Sequence, residues 1–267
     1  MGEPLVEVMM RYFYKDEDLM VSEMSRAIKS LNEQTYKKLL VTFCRDGGVD
    51  ACSLIKNNCQ VEWRSIGGSQ NMGRGFATNC LLTVCVGEYF ALLDSDDYME
   101  PCFVEGCVDN ALSYGLTMIK PQVKLVYLRC LREDVPMFEL YFERLLKESD
   151  DFYRAMFGND SIKIFAESLQ MISKMFHRRM AALRTRSDMN ITEDCYWMYK
   201  ANRIVKQLGL KSMSFLPRAK GFYIQVHPMN RMQRYEELGL KMKAEDYYEL
   251  PTEEDIRGVE NAVAKGL

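Results

Sequence analysis

Apolar and polar positions change period repeatedly over the first hundred residues. Leu5 to Tyr12 alternates with the period of two that suits a strand. Leu19, Met24, Ala27, Ile28 and Leu31 recur at helical spacing. Leu39 to Cys44 is a short apolar run of strand character, and the turn Asp46-Gly47-Gly48 follows it. Val49 to Lys56 reads as a helix and Val61 to Ser65 as a strand. Gly67, Gly68 and Gly73 mark a loop, after which Gly75 to Val86 returns to helix. Glu88 to Leu93 is again an apolar strand. The order βαβαβαβ predicts an α/β fold with a mostly parallel sheet flanked by helices on both faces. Ligands of such sheets gather at the carboxyl ends of the strands. Asp46 and Asp94 each fall just past such an end, so both are expected to face one cleft.

The second half is less regular. Helices are expected over Phe103–Leu112, Pro136–Lys147, Ser168–Leu183 and Asp194–Gln207. Met118 to Leu128 alternates like a strand, and Met213 to Val226 reads as a strand or hairpin. The tail after Arg231 reads as helices, with Pro251-Thr252-Glu253-Glu254 as a start signal. There is no internal repeat and no low-complexity linker. The economical reading is a single domain over 1–230 followed by a C-terminal helical extension over 231–267.

Composition narrows this picture. Of 267 residues 48% are hydrophobic, enough for a sizeable core. The net charge of −3 leaves no basic footprint, which argues against nucleic acid as a partner. No stretch approaches the roughly 18 apolar residues of a transmembrane helix. Met1-Gly2-Glu3-Pro4 has no basic flank before an apolar run, so the expected location is cytoplasmic. The nine cysteines are scattered without a CxxC pair, and they read as reduced thiols rather than a zinc site.

The chemistry is concentrated at the end of the strand before residue 94. Gly87-Glu88-Tyr89-Phe90-Ala91-Leu92-Leu93 runs into Asp94-Ser95-Asp96-Asp97. Three carboxylates within four residues repel one another unless a cation neutralises them. Aspartates also serve turns and helix caps, but three together exceed what capping needs. A divalent ion that prefers oxygen ligands, Mg²⁺ or Mn²⁺, fits best. Such ions commonly bring a substrate's phosphates with them.

With these residues in view, the chain resembles the family 2 glycosyltransferases of the GT-A (Rossmann-like) fold, over roughly residues 5 to 230. Ala27-Ile28-Lys29-Ser30-Leu31-Asn32-Glu33-Gln34-Thr35-Tyr36 resembles a helix end of that family. Asp46-Gly47-Gly48-Val49-Asp50 resembles its D-G-S-x-D turn. Asn71-Met72-Gly73-Arg74-Gly75-Phe76-Ala77-Thr78-Asn79 resembles its N-x-G-x-a-x-A-R-N segment. The run from Gly87 to Asp97 and Pro101 resembles its LDSDD region, and Ile191-Thr192-Glu193-Asp194 its acid pair. Five motifs stand in the family's order. The chain departs from the pattern after the first strand, where Met10-Arg11-Tyr12-Phe13-Tyr14 replaces the usual proline and tyrosine-asparagine pair. Arg45 stands where the family often has the first of two aspartates. Thr78 stands where it often has an arginine, and Arg74, one helical turn earlier, offers a substitute.

The resemblance implies a nucleotide-binding half and an acceptor half within one domain. It implies a metal-dependent transfer of sugar, with inversion, from a UDP-sugar to a glycan, lipid-linked or glycoprotein acceptor. Asp96, Asp94 and Asp97 would hold Mn²⁺ or Mg²⁺ and the ribose, with His227 reaching the metal or diphosphate from Tyr223-Ile224-Gln225-Val226-His227-Pro228. Asp46 would accept the N3–H of uracil. Asn71, Arg74, Arg11 and Phe13 would complete the nucleotide site, Phe13 by stacking on the base. Asp194 would deprotonate the acceptor hydroxyl and Glu193 would help orient it. Arg178 and Arg179 are expected to be structural, and His177 is expected at the surface beside them. Two rival readings are a nucleotide-sugar binding protein without catalysis and a nucleotidyltransferase. The second would want a glycine-rich basic loop near the first strand, where this chain has none. The sequence leaves a homodimer open.

Overall fold

A computed structural model describes residues 2–121, 123–127, 175–187, 193–216, 222–226 and 250–266. The elements in chain order begin with β1 (Val6–Tyr12), α1 (Glu17–Asn32), β2 (Leu39–Asp46), α2 (Cys52–Asn58), β3 (Glu62–Gly68), α3 (Arg74–Val84) and β4 (Tyr89–Asp94). They continue with β5 (Tyr98–Met99), α4 (Phe103–Tyr114), β6 (Met118–Pro121), β7 (Val123–Tyr127) and β8 (Met175–His177). A 3-10 turn (Arg178–Ala182), α5 (Glu193–Gln207), β9 (Ser212–Leu216), β10 (Phe222–Val226) and α6 (Glu253–Ala264) complete the described set.

The main sheet has seven strands in the order β3-β2-β1-β4-β8-β6-β9. β1 pairs in parallel with β2 and with β4. Among the described strands of this sheet, only β8 runs against its neighbours. Alternation along β1 divides its side chains between two cores. Val6, Val8, Met10 and Tyr12 pack with Met20, Met24, Ile28 and Leu31 of α1 and with Phe103 and Val104 of α4. Met9 faces the other way and joins Phe90, Leu81 of α3, Trp197 and Ile204 of α5, and Val259 of α6. Helices therefore cover both faces, as the βα alternation requires. Each large side chain so buried contributes about 1.5–3 kcal/mol.

Local signals set the helix ends. Asp16 caps α1 by accepting from Leu19 N at 2.8 Å, and Glu17 and Asp18 complement the dipole of its first turn. Past its far end, Gln34 donates to Glu100 O at 2.8 Å and accepts from Val104 N at 3.2 Å. Two of the sequence motifs thus meet through one buried amide.

Three expectations need correction. Met118–Leu128 is not one strand. The ladder shifts register between Lys120 and Pro121, and the chain passes from the main sheet into a second sheet of order β5-β10-β7. Proline lacks the N–H that a continued ladder needs. Nor is Met213–Val226 a hairpin: β9 lies on the main sheet and β10 on the small one. The helix expected over Ser168–Leu183 is, where described, strand and 3-10 turn. Met175 and Phe176 are fully buried between β4 and β6, so pairing on two sides overrides the helical pattern. The expected helix over Pro136–Lys147 lies outside the described residues.

The expected C-terminal extension includes α6, which packs into the second core. Val259 is buried there, and Ile256 packs against the same cluster. Its start carries a capping box between Thr252 and Asp255. Asp255 also accepts from Lys200 Nζ of α5 at 2.8 Å.

Candidate active site

The carboxyl ends of β1, β2 and β4 lie side by side. The register places Arg11 of β1 next to Cys44 of β2 and Asp94 of β4. Strand period then puts Arg11, Asp94 and Asp46 on one face of the sheet. That face is covered by α3, whose N-terminus begins at the same edge.

Asp94 is gripped by two cations. Arg11 Nε donates to Oδ1 at 3.1 Å, and Arg74 Nη2 donates to Oδ2 at 3.0 Å. Burial alone would push the Asp94 carboxyl up, but Arg11 and then Arg74 hold it down to about 2. It is therefore ionised at any physiological pH. Arg11 Nη1 also donates to Thr78 Oγ1 at 2.6 Å.

Behind Asp94 the chain turns tightly, with Asp97 N donating to Asp94 O at 3.0 Å. One ligand oxygen from each of Asp94, Asp96 and Asp97 lies within 4.8 Å of the others. An all-carboxylate set suits a hard divalent cation. The turn is braced from the segment just past β1 and from α1. Tyr14 Oη and Ser95 Oγ share a hydrogen bond of 2.8 Å. Arg26 donates to Asp96 O at 3.3 Å, and its guanidinium lies 5.3 Å from the centre of the Tyr98 ring.

The loop after β2 forms the next wall. Gly47 and Gly48 have φ of 82° and 70°, in the left-handed region that favours glycine. A Cβ on Gly48 would also stand 2.1 Å from Tyr14 O. Arg45 closes this loop, donating to Asp50 Oδ2 at 2.8 Å and to Gly48 O. Asp46 Oδ1 accepts from Met72 N at 2.8 Å and Gly73 N at 3.1 Å, tying β2 to the start of α3.

A profile of glycosyl transferase family 2 matches residues 20–180, more than half of the chain. The chain belongs to glycosyl transferase family 2. Chondroitin synthase from Escherichia coli is 37% identical over 90 residues, which are 32% of this chain and 13% of that protein. Hyaluronan synthase from Pasteurella multocida is 36% identical over 92 residues, 33% of this chain and 9% of that protein. The match therefore spans a small part of these relatives' length. Among solved structures, S. aureus TarS 1-349 in complex with UDP-GlcNAc superposes with a TM-score of 0.60 at 17% identity, over 97% of this chain and 65% of that one. Mannosyltransferase PcManGT from Pyrobaculum calidifontis, in complex with GDP-Man and Mn²⁺, superposes with a TM-score of 0.58 at 14% identity, over 99% and 75%. Likeness at such low identity is one of fold, and the fold is GT-A.

Seen as a family 2 site, the sequence-derived residues fall into three groups. Arg11, Arg74, Asp94, Asp96, Asp97 and Asp46 converge at the strand ends. Asn71 is exposed beside the Gly47 turn, and Phe13 is half-buried just past β1. Glu193 and Asp194 open α5, while His227 lies outside the described residues. α5 is anchored near β4, where Trp197 packs edge-on to Phe176 at 4.9 Å and to Phe90 at 6.4 Å. Asn79 of α3 exchanges two hydrogen bonds with the Thr185 backbone, at 2.8 and 3.0 Å, and so ties α3 to the segment leading toward α5.

His177 is a correction. It ends β8 half-buried, with its ring 5.1 Å from that of Tyr89. Burial and then Arg179 and Arg178 lower its pKa to about 4. Sequence reasoning missed Tyr14, Ser95 and Arg26. Their roles depend on partners about seventy to eighty residues away, which no local pattern announces.

Proposed function

We propose that this chain transfers a sugar from a UDP-sugar to a hydroxyl of a glycan or other acceptor, with inversion and with a divalent metal. The carrying observation is the convergence of Asp94, Asp96 and Asp97 at the carboxyl end of β4, beside Asp46 at the end of β2. Asp96 and Asp97, together with Asp94, are the residues that would hold Mn²⁺ or Mg²⁺. A bound cation supplies Lewis-acid charge to the departing diphosphate.

The chain's own groups do the rest. Arg11 and Arg74 fix the Asp94 carboxylate and offset acidic charge at the diphosphate end of the site. Asp46 uses Oδ1 for the start of α3, so uracil recognition falls to Oδ2. An acceptor there selects uracil, which carries N3–H, over cytosine, which does not. Asp194, at the first turn of α5, takes the proton of the acceptor hydroxyl. Attack opposite the departing diphosphate inverts the anomeric centre, and Glu193 orients the acceptor. The complexes of TarS with UDP-GlcNAc and of PcManGT with GDP-Man and Mn²⁺ support a nucleotide-sugar donor.

The test is calorimetric titration of UDP with and without Mn²⁺, on the wild type and on Asp96→Ala. Metal-dependent binding that the substitution abolishes is expected. Absence of binding in the wild type under both conditions overturns the donor assignment. UDP binding without single-turnover consumption of any UDP-sugar would favour the binding-protein reading instead.

A further inference from the structure

β1 sends one guanidinium across to two other elements. Arg11 holds Asp94 of β4 through Nε and Thr78 of α3 through Nη1. Its side chain is only 11% exposed. Thr78 is buried and lies four residues after Arg74 on α3, so both present the same helix face to Asp94. α3 therefore brings one cation and one hydroxyl to the carboxylate. The second cation arrives from β1 and is fastened through that hydroxyl.

The position of Asp94 governs more than its own carboxylate. Its carbonyl accepts the Asp97 N–H that closes the acid turn. A guanidinium that fixes Asp94 therefore also fixes the turn presenting Asp96 and Asp97. Without Arg11, Oδ1 loses its guanidinium partner, while Arg74 still holds Oδ2.

We propose that Arg11 is a positioning residue of the donor site, supplying from β1, through Thr78, the second guanidinium that orients the acid turn. This rests on the donor site proposed above. It assigns a task to the departure of this chain at Thr78. A guanidinium is needed at one point in space, and either β1 or position 78 of α3 can carry it. Removal of Arg11 then disables the site, and an arginine moved to position 78 repairs it.

The experiment compares the wild type, Arg11→Ala, Arg11→Lys and the double variant Arg11→Ala/Thr78→Arg. Each full chain is titrated with UDP in the presence of Mn²⁺ and melted by heat. Arg11→Ala is expected to weaken UDP binding by about tenfold or more, a usual cost for losing a group that orients a metal ligand. Arg11→Lys keeps the charge without the fork and is expected to recover part of the loss. The double variant is expected to return to within about threefold of the wild type. Folded Arg11→Ala that binds UDP as the wild type does overturns the proposal. So does a double variant that regains the melting midpoint but not UDP binding, since that marks a purely structural role. Should the wild type bind no UDP, the donor reading falls. The positioning role falls with it, and the midpoints then tell only whether a guanidinium from position 78 replaces that of Arg11 in holding the fold.

Discussion

Glu7 carries a carboxylate into the start of β1 with none of its surface exposed to solvent. Burial pushes its pKa up, but hydrogen bonds from Thr42, Val86 N, Gly87 N and Arg64 outweigh that and leave it below the usual value of 4.5. The unfolded chain thus takes up a proton more readily than the folded one. This stabilisation is full above about pH 4.5 and is lost as the pH falls below it. Glu7→Gln is expected to cost about 3 kcal/mol at neutral pH, the low end for breaking a buried pair, because Arg64 stays partly hydrated. The same variant should flatten the acid limb of stability. Urea unfolding at pH 7 and pH 4 checks both. At this scale, the acids of the site were legible in the sequence because they are contiguous. The two arginines on Asp94 were legible only as candidates, since Arg11 lies 83 positions from its partner.

Elements were legible where their stability is local. The βα alternation of the first half follows from periodicity and turn residues, and the observed ends differ from the expected ones by a few residues. The second half failed where strands find distant partners. β8 was hidden because its ladder partners, β4 and β6, lie far away in sequence. β7 and β10 belong to a sheet that no local pattern announces. The described helices of this half were legible: α4 and α5 lie within about two residues of their expected spans, and the start of α6 was announced by the cap itself. Thr252 Oγ1 accepts from Asp255 N at 3.1 Å, and Asp255 Oδ2 accepts from Thr252 N at 2.9 Å. Thr252→Ala should cost about 1 kcal/mol of stability, read by thermal or urea unfolding. Its effect should reach α5, because Asp255 also pairs with Lys200, whose side chain is 7% exposed.

For the molecule as a whole, the fold class was legible because the βα alternation and five motifs in order point to the same architecture. The second half was less so, since its patterns are irregular and much of it lies outside the described residues. A ligand that binds only the folded chain raises its stability by mass action, about 2.7 kcal/mol at a hundredfold excess over the dissociation constant. UDP with Mn²⁺ is therefore expected to raise the melting midpoint, and a chelator to cancel the rise. A midpoint that ignores the chelator would contradict metal dependence while leaving nucleotide binding intact.

The register of β1 has a last consequence. Met10 and Arg11 are neighbours, one turned toward α1 and the other toward Asp94. A slip of one residue would exchange their faces, driving a guanidinium into the apolar layer and a thioether against the acids. Errors in the core and errors in the site are then the same errors. A refolding preparation should hold no sizeable population that is well packed yet inert. Its specific activity becomes a direct gauge of how much chain has folded correctly.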